Sequence, residues 1–102
     1  MHIAVIGDYE SPQYKNFLKK VKLAKPEDTI IDLSRHPGYN WGKKLKARFD
    51  DISESHLVII HPDYENSLDS RRDVTYAMDR KRDCMIYLDG VFRPFTEYAR
   101  TI

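Results

Sequence analysis

Between His61 and Ala77 the chain reads HPDYENSLDSRRDVTYA, and this stretch gathers carboxylates, hydroxyls and two guanidinium groups within a few turns of backbone. Asp73 leads the candidates. A carboxylate on the first turn of a helix, facing a cleft, can act as a nucleophile or stabilise an oxocarbenium-like centre. The same spacing, Ser70-x-x-Asp73, also matches a capping box, in which the acid only satisfies the start of the helix. Asp50 and Asp51 form a second carboxylate pair, one turn before the end of a helical stretch. One of them could hold a ligand hydroxyl or serve as general acid or base, and paired with Asp73 would give the two-carboxylate arrangement of glycosidic chemistry. As solvated helix residues they would do neither.

Arg71 and Arg72 flank the expected helix start, where anions bind, and Arg adds bidentate contacts to phosphate. Adjacent helix residues point about 100° apart, so only one of the two is expected to face the site; alternatively both are surface residues pairing with Asp69 and Asp73. Ser67 and Ser70 could add hydroxyl donors. Tyr9 and Tyr64 could stack on a base or close a core edge. His36 and His61 lack a second His or Cys at metal-ligand spacing, so no metal site is expected. Cys84 sits in a strand without a basic neighbour and reads as an inert packed thiol. There is no P-loop, no G-x-G-x-x-G and no G-x-S-x-G, and no cofactor is implied.

These residues need a scaffold, and the hydrophobic pattern supplies one. His2 to Ile6 is a short apolar run ending at Gly7-Asp8 and reads as a strand. Ser11-Pro12 opens a helix, Ser as N-cap and Pro at the first helical position. Tyr14, Phe17, Leu18 and Val21 make its buried stripe. Thr29 to Leu33 reads as a second strand, followed by a Pro37-Gly38 loop. Trp41, Leu45, Phe49 and Ile52 recur at helical spacing. Leu57 to Ile60 is a third strand, and a helix capped by Asp69 or Ser70 follows, with Val74, Ala77 and Met78 inward. Cys84 to Leu88 is a fourth strand. Pro94 starts a last short helix with Phe95, Tyr98, Ala99 and Ile102 on one stripe. The alternation predicts a three-layer α/β/α fold, flavodoxin- or Rossmann-like, with a four- or five-stranded mostly parallel sheet. The polar loops Gly7 to Glu10, Ser34 to Asn40 and His61 to Ser70 all follow strands, so they should converge at one sheet edge, where open α/β sheets bind ligands.

The 102 residues suggest one domain over 1–102. The N-terminus has no basic n-region and meets acids at once, so no signal peptide is expected. No segment approaches the ~18 apolar residues of a membrane span. A single cysteine fits a reducing cytoplasm. Seventeen Lys and Arg nearly balance sixteen Asp and Glu, yet residues 11–48 hold ten basic side chains against three acids. That basic half could face a phosphorylated ligand or nucleic acid, or be solvated helix faces. It lacks the interleaved aromatics of single-strand binders, so nucleic acid ranks last as a partner.

At residues 62–77 the chain resembles the nucleoside 2-deoxyribosyltransferase-like superfamily, in particular a small bacterial and phage branch that reads P-x-W-E-x-S-x-G-A-x-x-E-x-x-x-A after its third strand. Pro62, Glu65, Ser67 and Ala77 match. Tyr64 stands at the Trp position, Asp69 at the Gly, Ser70 at the Ala and Asp73 at the catalytic Glu. The branch's A-G-P-Y-T after strand one is echoed by Ile6-Gly7-Asp8-Tyr9-Glu10. The resemblance covers residues 1–88. It implies an N-glycosidase or deoxyribosyltransferase acting on a nucleoside or its 5′-monophosphate. Asp73 would be the catalytic carboxylate, supported by Tyr9 and by Asp50 or Asp51. Gly7, Asp8, Tyr64, Ser67, Asp69, Ser70, Arg71 and Arg72 would bind substrate. The Asp for Glu and Asp for Gly exchanges motivate the alternative, a non-catalytic module that holds a nucleotide-derived ligand. The resemblance also implies a homodimer or larger assembly. Phe92, Phe95, Tyr98 and Ile102 could provide such a contact or pack on their own sheet.

Overall fold

A computed structural model describes residues 1–35 and 41–100. Strand β1 (His2–Ile6) leads to helix α1 (Pro12–Ala24), then β2 (Thr29–Asp32) and a 3-10 turn over Leu33–Arg35. Helix α2 (Trp41–Glu54), β3 (Leu57–Ile60), a second 3-10 turn (Pro62–Asn66) and α3 (Leu68–Asp79) follow. The chain ends in β4 (Asp83–Leu88), β5 (Val91–Pro94) and α4 (Phe95–Arg100). His36 and the Pro37-Gly38 loop lie outside the described residues, as do Ile102 and the Trp41 side chain.

The sheet order is β2-β1-β3-β4-β5, with β5 antiparallel to β4 and the other neighbours parallel. This is the expected α/β architecture with five strands. From β1 the chain first moves outward to β2 and then returns across β1 to β3. Right-handed crossovers therefore put α1 on one face and α2 and α3 on the other. The strand side chains record the split. Ala4, Ile6, Val58 and Ile60 join Ile52, Val74 and Ala77, whereas Ile3, Val5 and Ile59 join Tyr14, Phe17, Leu18 and Val21. Central β1 is covered on both faces, and Ile3 to Ile6 have no solvent exposure. Each fully buried large apolar side chain contributes about 1.5–3 kcal/mol relative to exposure.

Ser11 caps α1 as expected, its hydroxyl accepting from the Gln13 N–H at 3.2 Å. Four details depart from the sequence reading. Strand β2 ends at Asp32, because the chain turns into the 3-10 segment at Leu33. Helix α3 is capped by Ser67, not by Asp69 or Ser70, so Asp73 falls in the second helical turn and is not part of a capping box. The Ser70 hydroxyl instead donates to the Tyr64 carbonyl at 2.6 Å. Met78 is exposed, being rotated off the stripe of Val74 and Ala77. Finally, β5 precedes α4. Asp89 and Gly90 both have positive φ (51° and 81°), the backbone of a tight hairpin turn.

That hairpin separates the presumed C-terminal stripe. Phe92 packs beside Tyr87 on the α1 side, while Phe95 packs against Tyr64 and Tyr98 on the α2/α3 side. Their apolar surface is used within the chain's own sheet. Among the described residues, no helix is long and apolar enough to cross a membrane.

Candidate active site

The loops after β1 and β3 meet where the winding changes direction, the topological switch point at which such sheets bind ligands. Their contact is close. A Cβ on Gly7 would lie 3.2 Å from Asp63 Oδ1 and 3.4 Å from the His61 Cβ, so a larger residue would press the other loop back by a few tenths of an ångström. Asp63 Oδ1 also accepts the Asp8 N–H at 3.0 Å and stands 2.8 Å from His61 Nδ1. The two loops are thus tied together by one carboxylate oxygen.

Beside this tie, on the α2/α3 side, three elements converge on Asp73. Its carboxylate has no exposure. Oδ2 accepts the Tyr9 hydroxyl at 2.5 Å and Arg48 Nε at 2.8 Å. Among the described residues Oδ1 has no hydrogen-bond partner, nor does Arg48 Nη2, which lies 3.4 Å from Asp69 Oδ1. The Arg48 guanidinium sits 5.6 Å from the Tyr9 ring centroid. Tyr9 in turn meets Tyr14 edge-on, with centroids 5.1 Å apart. Local geometry explains the convergence. Asp69 and Asp73 are four residues apart on α3 and share a face. Arg48 lies four residues before the buried Ile52, so α2 directs it inward on the same face.

Electrostatics follow from burial. Desolvation is the largest influence on Asp73 and pushes its carboxyl up to about 6 from 3.8, although Tyr9 and Arg48 pull it down. Nearby Asp69 adds a smaller upward push. Burial first, then the Asp73 charge, holds the Tyr9 hydroxyl well above its ordinary range, so it stays a hydrogen-bond donor. A buried acid poised near neutrality, with one oxygen held and one unpaired, can act as a nucleophile or electrostatic stabiliser.

The remaining candidates are distributed elsewhere. Asp51 is buried and takes two N–H contacts from Arg35 Nη2 at 3.0 and 3.2 Å, and Asp50 is exposed and paired with Lys46 at 2.9 Å. Asp69, not Asp50 or Asp51, is the second acid that meets Arg48. Tyr64 is a core residue, edge-on to Phe95, and offers no open face of the kind expected for base stacking. Ser67 serves as the α3 cap and Ser70 is fully buried. Arg71 and Arg72 line a groove of about 500 Å3 on the outer seam of α2 and α3, with Leu68 and the stacked rings of Phe49 and Tyr76. Asp73 does not line that groove. A smaller hollow of about 260 Å3 lies on the α1 side between Lys20, His61 and Tyr87. Burial raises the Cys84 thiol to about 11, with the Asp83 charge adding to it, which suits an inert thiol. No group of three potential metal ligands occurs among the described residues.

Arg48 was not among the sequence candidates; it counted only as one basic residue of many. Its signal was its position in the inward register of Ile52, where a charged residue needs a buried partner.

No family model and no curated protein matches the sequence. Among solved structures, the fold is similar to that of a CMP N-glycosidase, BcmB, from Clostridium botulinum. The TM-score is 0.64 at 14% identity, over 84% of this chain and 70% of that one. At that identity the likeness concerns the fold.

Proposed function

We propose that this chain cleaves the N-glycosidic bond of a nucleoside or nucleoside 5′-monophosphate, as a hydrolase or a deoxyribosyl transferase, with Asp73 as its carboxylate. The observation that carries the reading is Asp73 itself: buried at the switch point, bound through Oδ2 to Tyr9 and Arg48, with Oδ1 unpaired. The fold it shares with a CMP N-glycosidase supports the reading. In the proposed step, Oδ1 attacks C1′ and the C1′–N bond breaks. The base leaves with the electron pair and is protonated from solvent. Water, or a second base, then displaces Asp73 from C1′ and regenerates the carboxylate. Arg48 stabilises Oδ2 throughout. Because Asp73 is wholly buried, the Tyr9 side chain must turn aside to admit a sugar.

The same burial favours one alternative. A carboxylate closed off by Tyr9 and Arg48 also suits a module that binds a nucleotide-derived ligand without cleaving it. Chromatography of free base released from ribo- and deoxyribonucleosides and their 5′-monophosphates separates the two. Release by the wild type that Asp73→Asn abolishes is the expected outcome. Equal release by Asp73→Asn would eliminate the mechanism, and no release from any substrate would favour the binding module.

A further inference from the structure

The Arg48–Asp73 pair is single-pronged, although its parts are suited to a fork. Arg presents Nε–H and Nη2–H side by side, and carboxylates commonly accept both in parallel. Here Nε reaches Oδ2 at 2.8 Å, yet among the described residues neither Nη2 nor Oδ1 has a hydrogen bond. Both groups are buried, Arg48 at 5% exposure and Asp73 at 0%. Leaving a buried donor and a buried acceptor unpaired within one ion pair is costly, so something must hold the guanidinium off. The candidate is Asp69, one turn before Asp73 on the same helix face, whose Oδ1 lies 3.4 Å from Nη2.

We infer that Asp69 is a positioning residue: it draws Nη2 toward itself, keeps the Arg48–Asp73 pair single-pronged and so leaves Oδ1 unpaired as the oxygen that attacks once substrate is admitted. The inference rests on the carboxylate reading above and adds which oxygen reacts and what keeps it unpaired. A fork would engage both oxygens of Asp73 and tie up the lone pair that attacks C1′. It would also hold the carboxylate rigidly in the plane of the guanidinium. Asp69 thus gives a reason for an acid at the position where the resembled branch carries Gly.

The test is a crystal structure of Asp69→Asn, with kinetics of that variant and of Asp69→Glu. Asp69 is 41% exposed, so both substitutions are compatible with folding. In Asp69→Asn, Nη2 should turn to Oδ1 and complete the fork. Base release should fall ~10- to 100-fold in kcat with KM little changed, since a small misplacement of a reacting group costs that much. The acid limb of the pH profile should move to lower pH, because the fork favours charged Asp73 and a like charge is gone. Asp69→Glu should restore both kcat and the single-pronged pair. An Asp69→Asn structure with Nη2 still away from Oδ1, or a completed fork with undiminished kcat, would overturn the inference. Should the wild type release no base, the proposed function fails, and the crystal structure still decides the pairing.

Discussion

The two faces of the sheet are built on different principles. The α1 face is an apolar contact: Tyr14, Phe17, Leu18 and Val21 cover Ile3, Val5 and Ile59. The Tyr14 hydroxyl buried there lies 3.0 Å from the Val5 carbonyl and 3.2 Å from Asp32 Oδ1, a tyrosine satisfying its own burial at the margin of the face. The α2/α3 face has an equally apolar interior, but at its upper end it also buries an Arg, an Asp and a tyrosine hydroxyl in one cluster. A buried ion pair seldom contributes more stability than well-packed hydrocarbon would, because both charges lose water. The α1 face therefore carries stability, and the polar end of the opposite face carries chemistry at some expense of it.

The largest effect should come from the α1 side. Phe17→Ala removes a ring that is 2% exposed and should cost about 3–5 kcal/mol in urea unfolding, with little dependence on pH. A loss below ~1 kcal/mol would break the contrast. On the other face the effect should be governed by pH. The folded-state value of Asp73 is raised, about 6 against 3.8, so the folded protein takes up this proton first. The group's contribution to stability is therefore complete below 3.8 and is lost as pH rises through about 6. Asp73→Asn should flatten that part of the stability profile, as read from unfolding midpoints between about pH 4.5 and about pH 7.5. An unchanged slope in the variant would assign it to another group. The smallest effect is at the helix start. Ser67→Ala should cost ~1 kcal/mol through the lost N-cap and leave Asp73 in place. A loss of base release out of proportion to that figure would draw Ser67 into the site.

The fold was legible because its signals are local. Ser11-Pro12 and the Tyr14 stripe define α1 within eleven residues, and each buried strand is an unbroken apolar run. Strand β5 has a sequence signal in Asp89-Gly90 between apolar neighbours, a hairpin turn, but Pro94 is equally a helix-start residue, and the two signals compete over six residues. Within the site, Tyr9 and Asp73 were legible from type and position, and the structure brings them together. Arg48 was not, because the pairing joins residues distant in sequence and depends on how α2 and α3 are rotated against each other. Asp50 and Asp51 illustrate the converse: adjacency made them conspicuous, but helical geometry directs them to Lys46 and Arg35.

The short hairpin closing the sheet bears on how the protein behaves in a crowded solution. A sheet edge presents unpaired backbone groups to which another chain can add, and proteins that keep such edges long and flat tend to assemble into fibres. Here β4 is covered by β5, four residues long and ending in Arg93 and Pro94, of which proline offers no N–H to a newcomer. The opposite edge, β2, is equally short and terminates in Asp32. Both margins thus offer little template for another strand, and concentrated refolding should return dispersed protein in place of β-rich aggregate.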